Sequence, residues 1–330
     1  MREVLPTLER WSREGTRAAM ASVVRVERSA PRGPGAVLAV SERGEVSGSV
    51  TGGCVEPAVI QQAEEVLAGG EPRLLTYGIS DEEGFEVGLA CGGTVHILVE
   101  PVDVAAVAAV AAAVREDRPL ALVTDLEGPV TGRHRLLGPD DPAEPEVRDM
   151  LARGETGLAE GEEGTAYVAS FVPRPAMYVF GAIDHAAALA TVGRFLGYRV
   201  TVCDARAPFV TPERFPDVDE LVVDWPHRFL AGAPVDERTA ICVLTHDPKF
   251  DVPVLKVALG TPAAYIGAMG SRRTTERRAE RLREEGVPDE ALARVHAPIG
   301  ISIGARTPEE VAVAVAAQLV AVGRRVPVPA

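Results

Sequence analysis

The stretch Val179-Phe-Gly-Ala-Ile-Asp-His-Ala186 decides the fold of the C-terminal half. The apolar residues 177–180 read as a short buried strand, Gly181 as a turn, and residues 184–196 as a helix. Strand, glycine turn and helix in that order open a dinucleotide-binding fold, whose fingerprint is G-x-G-x-x-G/A. Gly181 fills the first position and Ala186 the third. Ile183 stands at the second, where a glycine normally lets the backbone approach a pyrophosphate. The fold is therefore expected, while ordinary NAD(P) binding is disfavoured. The acidic residue that would hold a ribose is met by Asp204, at the end of the next strand (residues 199–203). Read more plainly, Asp204 and Arg206 form a loop ion pair.

Outward from this unit the alternation continues. Strands are expected at residues 220–223, 240–244 and 264–266, and helices at 252–259, 272–285 and 309–322. Short apolar strands separated by helices imply a Rossmann-like parallel sheet with helices on both faces. The N-terminal half reads as a mixed α/β domain. It has an opening helix at 6–14 and strands at 18–27, 36–40, 46–50, 73–77 and 94–99, with a hairpin turn at 42–44. A helix ends near residue 68, an Ala/Val helix spans 103–115, and a strand spans 120–124. Residues 125–165 read as a peripheral hairpin and connection. Phe171-Val-Pro-Arg-Pro175 reads as a linker, because closely spaced prolines favour extended chain. The expected domains are residues 1–172 and 173–330.

Composition bounds the function. A chain of 330 residues exceeds one comfortable core. Its net charge of -14 argues against general nucleic-acid binding and against an anionic membrane surface. The longest apolar runs (104–114 and 311–322) are shorter than the ~20 residues a bilayer needs. The first residues lack the apolar core of a secretory signal. Cys54, Cys91, Cys203 and Cys242 form no C-x-x-C pair, so neither a structural zinc site nor a disulfide framework is expected, and the cytoplasm is the expected compartment.

Four segments carry candidate chemistry. In Tyr265-Ile-Gly-Ala-Met-Gly-Ser-Arg-Arg-Thr274 a strand ends, glycines turn, and Ser271 caps a helix that opens with Arg272 and Arg273. A helix N-terminus with two arginines is an anion cradle; the plainer reading is a cap with solvated arginines. Arg277, Arg278, Arg281 and Arg283 alternate with glutamates and are expected as surface pairs. Thr245-His-Asp247 follows another strand, so His246 is either an acid/base group or a loop hydrogen-bonder. Gly52-Gly-Cys-Val-Glu56 and Ala90-Cys-Gly-Gly93 place Cys54 and Cys91 beside glycines. They are candidate reactive thiols or small thiols in tight turns. Thr307-Pro-Glu-Glu310 is a helix capping box and carries no chemistry.

Together these segments resemble the XdhC/CoxI family, the xanthine dehydrogenase accessory factors. The resemblance rests on Ser29-Ala-Pro-Arg32, Gly48-Ser-Val-Thr-Gly-Gly-Cys-Val-Glu56, Ala90-Cys-Gly-Gly93 and Val99-Glu-Pro101. It continues through Cys203-Asp-Ala-Arg206, Arg214-Phe-Pro216, Thr245-His-Asp247, Tyr265-Ile-Gly267, Gly270-Ser-Arg-Arg-Thr274 and His296-Ala-Pro-Ile-Gly300. It implies a chaperone that binds the molybdenum cofactor (molybdopterin or its cytosine dinucleotide) and protects it during sulfuration. The cofactor then passes to an apo molybdenum hydroxylase of the xanthine or carbon monoxide dehydrogenase type. A cysteine desulfurase is the second implied partner, and a homodimer the expected assembly. The implied cofactor contacts are Gly52, Gly53, Gly181, Asp204, Arg206, Gly270, Ser271, Arg272 and Arg273, with Cys54, Cys91 and His246 as the chemically active groups. One departure stands out. Where many members read G-A-G-H, this chain reads Gly181-Ala-Ile-Asp184, and His185 is displaced by one position. An NAD(P)-dependent oxidoreductase and a non-catalytic dimeric scaffold are the competing expectations.

Overall fold

The structure, a computed structural model, describes residues 1–78, 92–127, 131–161 and 164–326. The chain forms two compact units, Met1–Pro173 and Arg174–Ala330.

The first unit opens with α1 (Leu5–Arg13), β1 (Ala18–Glu27), β2 (Val37–Ser41), β3 (Val46–Gly48), α2 (Glu56–Leu67), β4 (Arg73–Tyr77), β5 (Thr94–Pro101) and α3 (Val104–Arg115). Its strands form an antiparallel sheet in the order β3-β2-β1-β5-β4. Alternation in β1 serves two cores at once. Ala19, Ala21 and Val23 pack with Val59, Ala63 and Val66 of α2. Ala18, Met20 and Val24 join Leu8 and Trp11 of α1 and Val107 and Val110 of α3.

Residues 125–165 form more than the expected peripheral hairpin and connection. After β6 (Leu120–Asp125) come β7 (His134–Leu137), α4 (Pro145–Arg153), β8 (Gly157–Gly161) and β9 (Gly164–Phe171). They build a second antiparallel sheet, β7-β6-β9-β8. Tyr167, Ala169 and Phe171 face the α1/α3 core. Ala166 and Val168 pack on Val147, Met150 and Leu151 of α4. Gly132, Pro139, Asp140 and Asp141 sit in the turns between these elements, which disguises the short strands and the helix.

On β7, His134 lies between two carboxylates. Its Nε2 is 3.1 Å from Glu100 and its Nδ1 3.3 Å from Asp103. Burial lowers the imidazole pKa, but hydrogen bonds and charge from Glu100 and Asp103 outweigh burial and raise it. A raised folded-state pKa stabilises the protein fully below the unfolded value of ~6.5, and that stability is lost as pH rises through the folded value. The stability of this unit should therefore decline from neutral to mildly alkaline pH, and His134→Gln should flatten the decline. Urea titrations from pH 6 to 9 check this; parallel wild-type and variant profiles would contradict it.

The second unit contains β10 (Ala176–Phe180), α5 (Asp184–Phe195), β11 (Arg199–Cys203), β12 (Glu220–Val222), α6 (Pro226–Gly232), β13 (Ala240–Val243), α7 (Pro248–Leu259), β14 (Tyr265–Ala268), α8 (Arg272–Glu284), α9 (Asp289–Leu292), β15 (Val295–His296) and α10 (Pro308–Gly323). The sheet is parallel throughout, in the order β12-β11-β10-β13-β14-β15. This is the doubly wound order, with its reversal between β10 and β13. Met177, Val179, Val200, Val202 and Cys242 meet Leu189 of α5 and Val315 and Leu319 of α10 on one face. Phe180, Ile241, Val243 and Ile266 meet Leu230, Val254, Leu255 and Leu282 on the other. Each such side chain contributes ~1.5–3 kcal/mol when fully buried, so the two faces hold the sheet. Helix α7 begins before the expected residue 252, because Asp247 accepts the Lys249 amide as N-cap and Pro248 starts the first turn. The expected capping box of α10, Thr307 with Glu310, is present. Among the described residues, no helix is long and apolar enough to cross a membrane.

Candidate functional site

The strand reversal brings Gly181 against Thr245. Gly181 has φ +109°, and a Cβ there would lie 2.9 Å from Thr245 Cγ2. Only glycine fits this approach. The turn that follows is closed by the protein itself. The Asp204 carboxylate accepts the Ala182 amide (2.8 Å) and is held bidentately by Arg206 (2.9 and 2.7 Å). Burial pushes the Asp204 pKa up, but these hydrogen bonds more than offset it and hold the carboxyl below its usual range. Arg214 reaches across the turn to the Ala182 carbonyl and to Asp184, each at 3.2 Å. Both arginines stack on Phe209, Arg206 at 4.7 Å and Arg214 at 5.6 Å from its ring. Ile183 is the N-cap residue of α5 and supplies no side-chain cap. Asp204 and Arg206 are thus engaged with each other, in the plainer of the two arrangements expected for them.

Cations that are free among the described residues lie two strands away. Ser271 caps α8 by accepting the Thr274 amide at 3.2 Å, with Gly270 before it at φ +152°. Arg272 and Arg273 are exposed, and their side chains make no hydrogen bond or ion pair among the described residues. His246 is also exposed, in the loop between β13 and α7. The arginines farther along α8 do not behave as a row of surface pairs. Arg278 is buried, with 5% of its surface exposed. Its Nη2 donates to Asp251 at 2.9 Å and to the Met269 carbonyl at 2.7 Å. Thr245 donates its hydroxyl to the other Asp251 oxygen. Sequence reasoning missed this Thr245–Asp251–Arg278 network. Its one signal was an aspartate inside the apolar stripe of α7.

In the first unit, antiparallel pairing collects the motif loops at one end of the sheet. Gly48 ends β3 opposite Leu38, and Thr94 and Val95 begin β5 opposite Glu27 and Val26. The loops carrying Ser29, Cys54 and Gly93 therefore share that end. Gly93 packs so closely on the Ser29 carbonyl that a Cβ would overlap it at 1.9 Å. Cys54 is an exposed free thiol, whereas Cys203 and Cys242 are buried, and burial pushes both thiols up to about 12. Cys91 lies outside the described residues.

Glu56 organises the Cys54 loop. Its carboxylate accepts from the amides of Val50, Thr51, Gly52, Gly53 and Val55 and from the hydroxyls of Ser49 and Thr51, at 2.6–3.2 Å. Burial raises its pKa, but these donors outweigh burial and hold it far below the usual carboxylate range. The Gly52 and Gly53 amides are thus committed to an internal anion, and the loop holds Cys54 in a fixed outward position. Among the described residues, no group of three or more His, Cys, Asp or Glu is arranged to hold a metal ion.

Fold and site define a two-unit protein whose parallel-sheet unit keeps doubly wound order but fills its first turn with its own side chains. Residues 177–319 match the XdhC Rossmann domain, and residues 11–78 match the XdhC and CoxI family. The chain belongs to the XdhC/CoxI family. It is 27% identical to a probable xanthine dehydrogenase subunit of Bacillus subtilis, covering 94% of each chain. It is 28% identical to the molybdenum cofactor insertion chaperone PaoD of Escherichia coli, over 93% of this chain and 84% of that protein. A crystal structure of a xanthine dehydrogenase from Bacillus halodurans superposes with a TM-score of 0.69 at 27% identity, covering 97% of this chain and 96% of the other.

Proposed function

We propose that this protein carries a molybdenum cofactor to an apo molybdenum hydroxylase of the xanthine dehydrogenase type, acting as a maturation chaperone. The observation that carries the reading is its similarity to the insertion chaperone PaoD over 93% of this chain and 84% of that protein. The geometry supports it from two sides. The first Rossmann turn is filled by Asp204, Arg206 and Arg214, which disfavours a nicotinamide dinucleotide there. The capped start of α8 offers two guanidinium groups that are unpaired among the described residues, and they fit the phosphate end of molybdopterin or of its cytosine dinucleotide. When bound, the cofactor supplies the hydroxylase's metal centre.

In this reading Gly270 and Ser271 set the helix start, and Arg272 and Arg273 hold the anionic end. Gly181, Asp204 and Arg206 frame the neighbouring turn, with His246 as a polar contact. In the N-terminal unit Gly52 and Gly53 shape the loop that presents Cys54, and Cys54 with Cys91 serves the terminal sulfur delivered by a cysteine desulfurase. The protein works as a cytoplasmic homodimer.

Ultrafiltration tests the reading. The purified protein should retain molybdopterin, measured as its fluorescent oxidation product, and Arg272→Gln/Arg273→Gln should weaken retention by about ten-fold or more. NADH should give no fluorescence change. A protein that holds no molybdopterin, either as purified or after incubation, is not a carrier. An NADH response in its place would favour the oxidoreductase.

A further inference from the structure

Helices α7 and α8 flank an open cavity of about 290 Å³, lined by His246, Asp251, Thr274, Arg277, Arg278 and Arg281 among others. Thr274, Arg277, Arg278 and Arg281 recur at helical spacing and so share one face of α8. Among the described residues, Asp251 is the one carboxylate in the lining, and Arg278 and Thr245 already engage it. Arg277 and Arg281 have no side-chain hydrogen bond or ion pair among the described residues. They stand one turn apart, so their charges repel. Beneath them Arg278 is 95% buried, and its Nη1 has no hydrogen-bond partner among the described residues. An unpartnered guanidinium nitrogen under two unpaired guanidinium groups is costly without an anion. In a chain of net charge -14, acidic partners for these arginines were not scarce.

We propose that this cavity is a binding site for a phosphate dianion, the group presented by a phosphorylated small molecule. Arg277 and Arg281 grip its outer oxygens as planar two-pronged donors, and the buried Arg278 supplies charge from below. His246 closes the side toward the β13–α7 loop. The volume accommodates a phosphate and a small attached group but not a whole dinucleotide. The site uses neither Arg272 nor Arg273 and shares only His246 with the proposed cofactor contacts.

Calorimetric titration with inorganic phosphate at constant ionic strength tests it, with chloride and acetate as control anions. The expected result is saturable binding of phosphate over both controls. Arg277→Gln/Arg281→Gln, at exposed positions that leave the fold intact, should weaken it by about ten-fold or more, while Arg272→Gln/Arg273→Gln should leave it within about two-fold. Absence of saturable binding, equal response to acetate, indifference to the first double variant, or loss confined to the second would each overturn the proposal. Molybdopterin takes no part in the titration, so its outcome is separate from that of the ultrafiltration.

Discussion

Arg278→Ala is expected to lower the opening free energy of the second unit by about 3–5 kcal/mol, because it strands a buried charge. In the native protein Asp251 and Arg278 are each at least 95% buried and paired at 2.9 Å. Truncating the arginine leaves the Asp251 carboxylate with only the Thr245 hydroxyl, and deprives the Met269 carbonyl of its Nη2 donor. Asp251 is already under strain of this kind. Burial raises its pKa, and the donors Thr245 and Arg278 only partly offset that. The same argument predicts that Asp251→Leu/Arg278→Met loses less than the single variant, since no uncompensated ion remains. Native-state hydrogen exchange at the β13 and β14 amides reads both variants within the unit concerned. A loss under about 1 kcal/mol for Arg278→Ala would place the pair among weak surface bridges and contradict the structure.

Glu56→Gln should destabilise the first unit by about 2 kcal/mol or more at neutral pH and loosen the Cys54 loop. An amide offers one acceptor oxygen where the carboxylate offers two, and its NH2 faces backbone N–H groups that need acceptors. The pH dependence follows from the depressed pKa. A group whose folded value is lowered contributes stability that is present above its unfolded value of ~4.3 and is lost as pH falls through the folded value. The wild-type advantage over Glu56→Gln should therefore be complete near neutrality and shrink progressively below the ordinary carboxylate range. Urea unfolding from pH 7 downward measures it. An advantage that is constant with pH would mean that packing, not the carboxylate charge, holds the loop.

The parallel-sheet unit was largely legible from residues 177–204, because a buried parallel strand is a continuous apolar run and its helices keep their period. Strand β11 falls on the expected residues 199–203, and α5 and α10 agree to within a residue at each end. What escaped was short or disguised. Helix α6 has seven residues and opens on Pro226, and β15 has only two, so neither shows a period. Charge alternation along α8 looked like solvated pairing, yet i, i+4 spacing also lays Arg278 and Leu282 on one buried face. The site was legible in its landmarks, Gly181, Ser271 and Cys54, and illegible in its occupancy. No pattern announces that Asp204 will be claimed by Arg206, or that Glu56 will turn back into its own loop.

The one-ended arrangement of the first sheet has a practical side. The hairpin of residues 42–44 sits at the far end of β2 from the Cys54 loop, about 16 Å away along five residues of strand. Arg43 and Gly44 are exposed there. A dye, affinity tag or surface tether attached at that turn would leave the motif-bearing rim facing away from its support, so the rim could be probed by partners on an immobilised protein.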